Sequence, residues 1–164
     1  MSSLRNAPPR NAPKAHLLIA EDDPDIGEHL VALFSRKGYA VRHTSSGAEA
    51  LQKMTSLPPY ALVLLDVKLP EKDGFEVLRE ARRGGVSSPV IMLTVKDADK
   101  HKLRGFDLGA DDYVTKPFDT KELAARVEAV LARSESALPD TGHTYAFGRF
   151  TVHFPDETVM AEEK

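Results

Sequence analysis

Apolar residues along this chain alternate between two patterns. Leu17-Leu-Ile-Ala20, Ala61-Leu-Val-Leu-Leu65 and Pro89-Val-Ile-Met-Leu93 are short runs without polar interruption. Runs of this length suit strands covered on both faces, as in a parallel sheet between helices. Tyr39-Ala-Val-Arg-His43 and Asp112-Tyr-Val-Thr115 are weaker strand signals. Between these runs the apolar residues recur at helical spacing. Ile26, Leu30, Leu33 and Phe34 follow a start at Asp23-Pro24, with Asp23 as cap, and Gly38 marks the stop. Ser46 caps a helix through Ala48, Ala50, Leu51 and Met54 that ends before Pro58-Pro59. A third helix, Phe75 to Arg83, closes at Gly84-Gly85, and a polar fourth spans Asp97 to Leu108 with few anchors. The closing helix, Thr120 to Arg133, turns Leu123, Val127, Val130 and Leu131 inward. Strand and helix thus alternate five times. That order predicts an α/β fold, a doubly wound five-stranded parallel sheet with helices on both faces.

The predicted core ends near residue 135. Residues 1–15 hold three prolines and three basic side chains with almost no large apolar groups, and read as a disordered basic tail. Residues 16–134 form the main domain, and 135–144 read as a linker. From Tyr145 to Phe154 the pattern resembles one strand, with a turn at Pro155-Asp156 and a partner strand starting near Thr158. So small a β unit is marginal alone, which makes 145–164 the expected start of a second domain.

Composition narrows the chemistry. A net charge of −3 gives no global reason for nucleic-acid binding. Without cysteine there is no disulfide, thiolate nucleophile or Cys-ligated zinc. No apolar stretch approaches the roughly 20 residues of a membrane span, and residues 1–10 lack a signal-peptide core, so a cytoplasmic protein without membrane contact is expected.

The candidate chemistry lies at the strand ends. The first run stops at Glu21-Asp22-Asp23, the third strand at Asp66, the fourth at Thr94 and the fifth at Lys116. In a parallel sheet these groups share the carboxyl rim, where open α/β sheets place ligands. Singly, each has a plainer reading: Asp22 and Asp23 as helix caps, Asp66 as a turn former, Lys116-Pro117 as a turn. Together they form a carboxylate-rich, all-oxygen set suited to Mg²⁺. A divalent cation and Lys116 would roughly balance Glu21, Asp22 and Asp66, and would neutralise a transferring phosphoryl group.

Four segments carry a resemblance: Leu17-Leu-Ile-Ala-Glu-Asp-Asp23, Leu64-Leu-Asp-Val-Lys-Leu-Pro-Glu-Lys-Asp-Gly74, Pro89-Val-Ile-Met-Leu-Thr94 and Gly109-Ala-Asp-Asp-Tyr-Val-Thr-Lys-Pro-Phe118. In order and spacing they resemble the receiver domain of two-component response regulators, over residues 16 to about 134, with a flavodoxin-like, CheY-like fold. The resemblance implies that Asp66 is the phosphoacceptor. It makes Asp22 a direct Mg²⁺ ligand beside Asp66, adds the Lys68 main-chain carbonyl, and lets Glu21 act through water. Thr94 and Lys116 would bind phosphoryl oxygens, and the bond before Pro117 would be cis. Asp23 falls outside this set and is left to capping.

The stretch from Gly109 to Arg126 is similar to the OmpR/PhoB type in particular. By that resemblance Tyr113 is an aromatic switch that turns inward, and the fourth helix, fifth strand and closing helix form a phosphorylation-dependent homodimer face. Lys102, Asp112, Glu122 and Arg126 match its charged positions; the plainer reading is a solvated charged face. Tyr145-Ala-Phe-Gly-Arg-Phe-Thr-Val152 resembles the opening of a winged-helix effector domain. No helix-turn-helix pattern follows before Lys164, so DNA would be met only through an effector domain missing from this chain. The implied partner is a sensor histidine kinase, and the implied role a signalling switch rather than an enzyme. A metal-dependent phosphohydrolase with an aspartyl nucleophile is the competing class. It calls for a second carboxylate two residues after the nucleophile, where this chain has Lys68. Lys68, Lys96 and Val95 surround the expected site with basic and bulky groups, an arrangement expected to hinder water and prolong the phosphorylated state.

Overall fold

The structure, a computed structural model, describes residues 12–95, 108–136, 143–147 and 150–154. The expected tail up to residue 11, the expected fourth helix up to residue 107 with Lys96 and Lys102, the segment 137–142 and everything from Pro155 onward lie outside them. In chain order the elements are β1 (His16–Ala20), α1 (Pro24–Arg36), β2 (Ala40–Thr44), α2 (Gly47–Thr55), β3 (Leu62–Asp66), α3 (Gly74–Arg83), β4 (Val90–Val95), β5 (Asp112–Lys116), α4 (Thr120–Ser136), β6 (His143–Phe147) and β7 (Phe150–Phe154).

The apolar runs become strands because both of their faces are covered. Leu17 and Ile19 of β1, Leu62 and Leu64 of β3, and Ile91 and Leu93 of β4 pack with Leu30 and Phe34 of α1 and Leu123, Val127 and Val130 of α4. Their neighbours Leu18, Ala20, Val63, Leu65, Val90 and Met92 pack with Ala50 and Met54 of α2 and Phe75, Val77, Leu78 and Ala81 of α3. Successive residues of one strand therefore serve opposite layers, which is why no polar alternation is visible in them. The sheet order is β2-β1-β3-β4-β5, and every pairing is parallel.

Local signals set the helix starts. Asp23 accepts hydrogen bonds from the amides of Asp25 and Ile26, at 2.9 and 3.2 Å, with Pro24 opening α1. Ser46 accepts from the Glu49 amide at the head of α2. Asp73 and Glu76 form a reciprocal capping box on α3. Each of these caps satisfies amides that the first helical turn leaves without partners.

Differences from the expected boundaries are small in the α/β unit and larger beyond it. Helix α2 ends at Thr55, three residues before the prolines, and α4 runs on to Ser136, into the expected linker. The stretch read as a single strand from Tyr145 to Phe154 is two antiparallel strands, β6 and β7, with Phe147 opposite Phe150. The signal lies in the parity of the bulky residues. Tyr145 and Phe147 sit at odd positions, Phe150, Val152 and Phe154 at even ones, and Gly148-Arg149 falls at the change. Among the described residues no helix is long and apolar enough to cross a membrane.

Candidate functional site

The strand order reverses direction at β1, which has β2 on one side and β3 on the other. At such a switch point the loops leaving the carboxyl ends diverge and open a crevice. Glu21 and Asp22 leave β1 into it, and Asp66 is the last residue of β3. One carboxylate oxygen from each of Glu21, Asp22 and Asp66 lies within 4.8 Å of the other two. Lys116, the last residue of β5, spans β4 to reach them: its Nζ donates to Glu21 Oε2 at 2.6 Å and to Asp66 Oδ2 at 3.0 Å.

The cluster is mostly sheltered from water. Glu21 is fully buried and Asp66 is 4 % exposed, whereas Asp22 is open to solvent. Burial, reinforced by the charge of Asp66, pushes the Glu21 carboxyl up to about 7 despite the opposing hydrogen bond from Lys116. Burial alone would lower the Lys116 ammonium, but its bonds to Glu21 and Asp66 outweigh that and raise it. Three carboxylates thus converge where one ammonium binds two of them. That surplus of negative charge and the all-oxygen donor set fit a divalent cation of the Mg²⁺ kind.

Asp66 is held from two sides. Its Oδ1 accepts from the Lys68 amide at 3.3 Å, and its backbone abuts the first residue of α3. A Cβ on Gly74 would lie 2.2 Å from the Asp66 carbonyl oxygen, a distance only glycine tolerates, while the Gly74 amide donates to Val67 O at 2.7 Å. In the sequence, Gly74 stood only as the end of a matched segment. The loop between β3 and α3 is also tied to the head of α2: the Gly47 amide donates to Pro70 O, and Ser46 Oγ donates to Glu71, a residue with φ +72°.

The remaining expected residues take varied positions. Thr94 is buried at the end of β4, one residue beyond the Leu93 that faces Asp66 across the sheet, and its hydroxyl has a long bond to Val95 O at 3.5 Å. The Lys116–Pro117 peptide bond is cis, and so is Leu57–Pro58, which nothing in the sequence singled out. Tyr113 is buried in the layer that holds Met92 and Leu65. Lys68 and Val95 are exposed at the rim. Away from the site, Arg126 donates to both oxygens of Asp112, at 3.1 and 3.0 Å, and to Glu122 Oε1 at 3.2 and 3.1 Å. Lys102 lies outside the described residues. His43, which the sequence reading passed over, has its Nε2 2.9 Å from the Glu21 carbonyl oxygen.

Residues 17–128 match the protein family described as the response regulator receiver domain. The chain belongs to the response regulator receiver family. Among curated relatives of this receiver chain is the alkaline phosphatase synthesis transcriptional regulatory protein PhoP of Bacillus subtilis. It is 44 % identical over 125 residues, covering 76 % of this chain and 52 % of the relative. SphR of Synechococcus elongatus, described in the same words, is 35 % identical over 165 residues, covering 96 % and 64 %. These are regulators of the OmpR/PhoB type that the sequence resembled, and their names describe transcriptional regulators rather than enzymes. The chain spans between half and two thirds of the length of these relatives. Among solved structures, the receiver domain of the Francisella response regulator 1452 shares 32 % identity with a TM-score of 0.68, covering 73 % of this chain and 98 % of that one. Vibrio cholerae chemotaxis protein CheY4 shares 27 % identity with a TM-score of 0.66, covering 71 % and 98 %. The receiver fold and a phosphorylation-based signalling role are thus family properties of this chain.

Proposed function

We propose that Asp66 is the phosphoacceptor of this receiver and that a sensor histidine kinase is the donor. The reading is carried by one observation: the oxygens of Glu21, Asp22 and Asp66 converge within 4.8 Å while Lys116 holds both Glu21 and Asp66. A carboxylate oxygen of Asp66 attacks phosphorus in line. A P–O bond forms, the P–N bond of a phosphohistidine breaks, and the electron pair leaves on the imidazole nitrogen. Mg²⁺ held by Asp22, Asp66 and the Lys68 carbonyl, with Glu21 acting through water, would supply positive charge to the phosphoryl oxygens. Lys116 turns its ammonium from the Asp66 carboxylate to the phosphoryl group that replaces it. The Thr94 hydroxyl, which among the described residues makes one long bond to Val95 O, would follow. Hydrolysis of the acyl phosphate by water resets the switch.

The readout face is β5 with α4 and the segment before β5, which carries Tyr113, Asp112, Glu122, Arg126 and Lys102. Phosphorylation promotes homodimerisation through that face. In a longer protein like the relatives, the change passes to DNA through an effector domain, with the segment between α4 and β6 as linker and the residues from β6 onward as the start of that domain. The action is cytoplasmic, where a histidine kinase presents its phosphohistidine.

The test is incubation with acetyl phosphate and Mg²⁺, followed by intact mass and particle size. One phosphoryl adduct is expected on the natural chain and none on Asp66→Ala or after chelation of the metal, with a larger particle only when the adduct is present. A chain that stays unmodified, or an adduct that survives in Asp66→Ala, overturns the assignment.

A further inference from the structure

The acidic turn that follows β1 is fastened in an unusual way. The Glu21 amide donates to Thr44 O at 3.0 Å, the last rung of the β1–β2 ladder. In a parallel ladder the next bond would run from the amide two residues beyond Thr44 back to the Glu21 carbonyl. That amide, Ser46 N, turns instead to Thr44 Oγ1 at 3.3 Å, as the chain leaves β2 to cap α2. The Glu21 carbonyl would be left without its ladder partner, a cost for a polar group at a buried residue. The His43 side chain fills the gap. Its Nε2 lies 2.9 Å from that oxygen, and because a carbonyl only accepts, Nε2 carries the hydrogen.

A second observation concerns α1. Gly27 is buried in its first turn, and a Cβ built there would lie 2.7 Å from His43 Nε2 and 3.1 Å from Cε1. The imidazole is therefore seated directly on the helix backbone, and any side chain at position 27 would push it off the Glu21 carbonyl. Glycine inside a helix costs about 1 kcal/mol relative to alanine. Here it makes room for the ring that reaches Glu21. The turn thus has three ties: Thr44 O on the Glu21 amide, His43 on the Glu21 carbonyl, and Glu21 Oε1 on the Asp23 amide at 3.2 Å. Asp22 is carried between the second and third.

We infer that His43, seated on Gly27, is a positioning residue that orients the Glu21–Asp22 turn and sets the affinity of the site for a divalent cation. The inference rests on the metal-assisted phosphoacceptor reading above. His43 touches neither cation nor phosphoryl group; it acts through the main chain, as outer partners of metal ligands do.

Calorimetric titration of Mg²⁺ into the whole chain tests it, with circular dichroism as a check on folding. His43→Leu is expected to weaken Mg²⁺ about tenfold, within the range of outer-partner substitutions. His43→Gln, whose amide nitrogen reaches the same place, is expected to recover most of that loss, which a mere packing role would not predict. Gly27→Ala should weaken Mg²⁺ in the natural chain and have no further effect in His43→Leu, because both remove the same contact. Equal Mg²⁺ affinity for His43→Leu and the natural chain overturns the inference and leaves the phosphoacceptor reading standing. Additive losses from the two substitutions overturn it as well, by separating Gly27 from His43. Failure of the natural chain to bind Mg²⁺ at all overturns both readings together.

Discussion

Strand β5 carries a charge cluster at each end, and the two have the same make-up: one cation between two carboxylates. At its start Arg126 joins Asp112 and Glu122 at 3.0 and 3.1 Å; at its end Lys116 joins Glu21 and Asp66 at 2.6 and 3.0 Å. By distance alone they are near equivalents. They differ in water. The side chains of Glu21, Lys116 and Asp66 are 0, 16 and 6 % exposed, against 21, 41 and 56 % for Asp112, Arg126 and Glu122. In the open cluster, solvent and salt screen both attraction and repulsion, so the charges coexist with little consequence. In the closed one the same pairing leaves a surplus of negative charge that Lys116 only partly offsets, and burial keeps Glu21 high. A contact list would call both of them salt bridges. Only the closed one is poised to respond to a cation or to the loss of charge on Asp66.

Removing the cation from each cluster separates them most strongly. Lys116→Met strands two buried carboxylates, and the cost of an uncompensated buried charge predicts a loss of about 3 kcal/mol in metal-free urea unfolding. Added Mg²⁺ should return more stability to this variant than to the natural chain, because it then supplies the positive charge that the ammonium no longer provides. A loss below about 1 kcal/mol, the range of an exposed pair, would erase the distinction between the two clusters.

Acidity gives a smaller and more specific contrast. Glu21, whose ordinary value is 4.5, is held up to about 7 in the folded chain, so the folded state binds this proton more tightly than the unfolded state does. Its contribution to stability is therefore fully present below about 4.5 and is lost as pH rises through about 7. In metal-free buffer the stability difference between the natural chain and Glu21→Gln should change across that window by up to about 3 kcal/mol. A difference that stays flat from pH 4.5 to 7.5 would mean that the buried cluster is no more strained than the exposed one.

How much of this contrast was legible in the sequence depends on what each feature is made of. Asp66, Thr94, Lys116 and the Glu21-Asp22 pair were visible because each ends an apolar run, and parallel strands bring their ends to one rim. The caps Asp23 and Ser46 were visible because capping is local. Burial was not visible: nothing in the order of residues says that Glu21 is sealed and Asp22 open, since that depends on Lys116 crossing β4. Gly74 and Gly27 were hidden for the same reason, as each makes room for a group distant in sequence, the Asp66 backbone in one case and the His43 ring in the other. The β6–β7 hairpin was misread on local grounds. The alternation of bulky residues continues from Tyr145 to Phe154, and only its parity, which changes at Gly148-Arg149, marks two strands instead of one.

The smallest effect belongs to the open cluster. The Arg126 guanidinium is raised by its bonds to Asp112 and Glu122, which states only that the pairing favours its charged form. With the guanidinium 41 % exposed, water competes for every one of those bonds, and fixing a long side chain between two partners costs rotamer freedom. Arg126→Ala should therefore change the stability of the unphosphorylated chain by about 1 kcal/mol or less. That change should shrink as salt is raised and be the same with and without Mg²⁺. If instead the loss matched that of Lys116→Met, or varied with Mg²⁺, the two ends of β5 would be energetically coupled through the strand. The exposed cluster would then report directly on the charge state of the buried one.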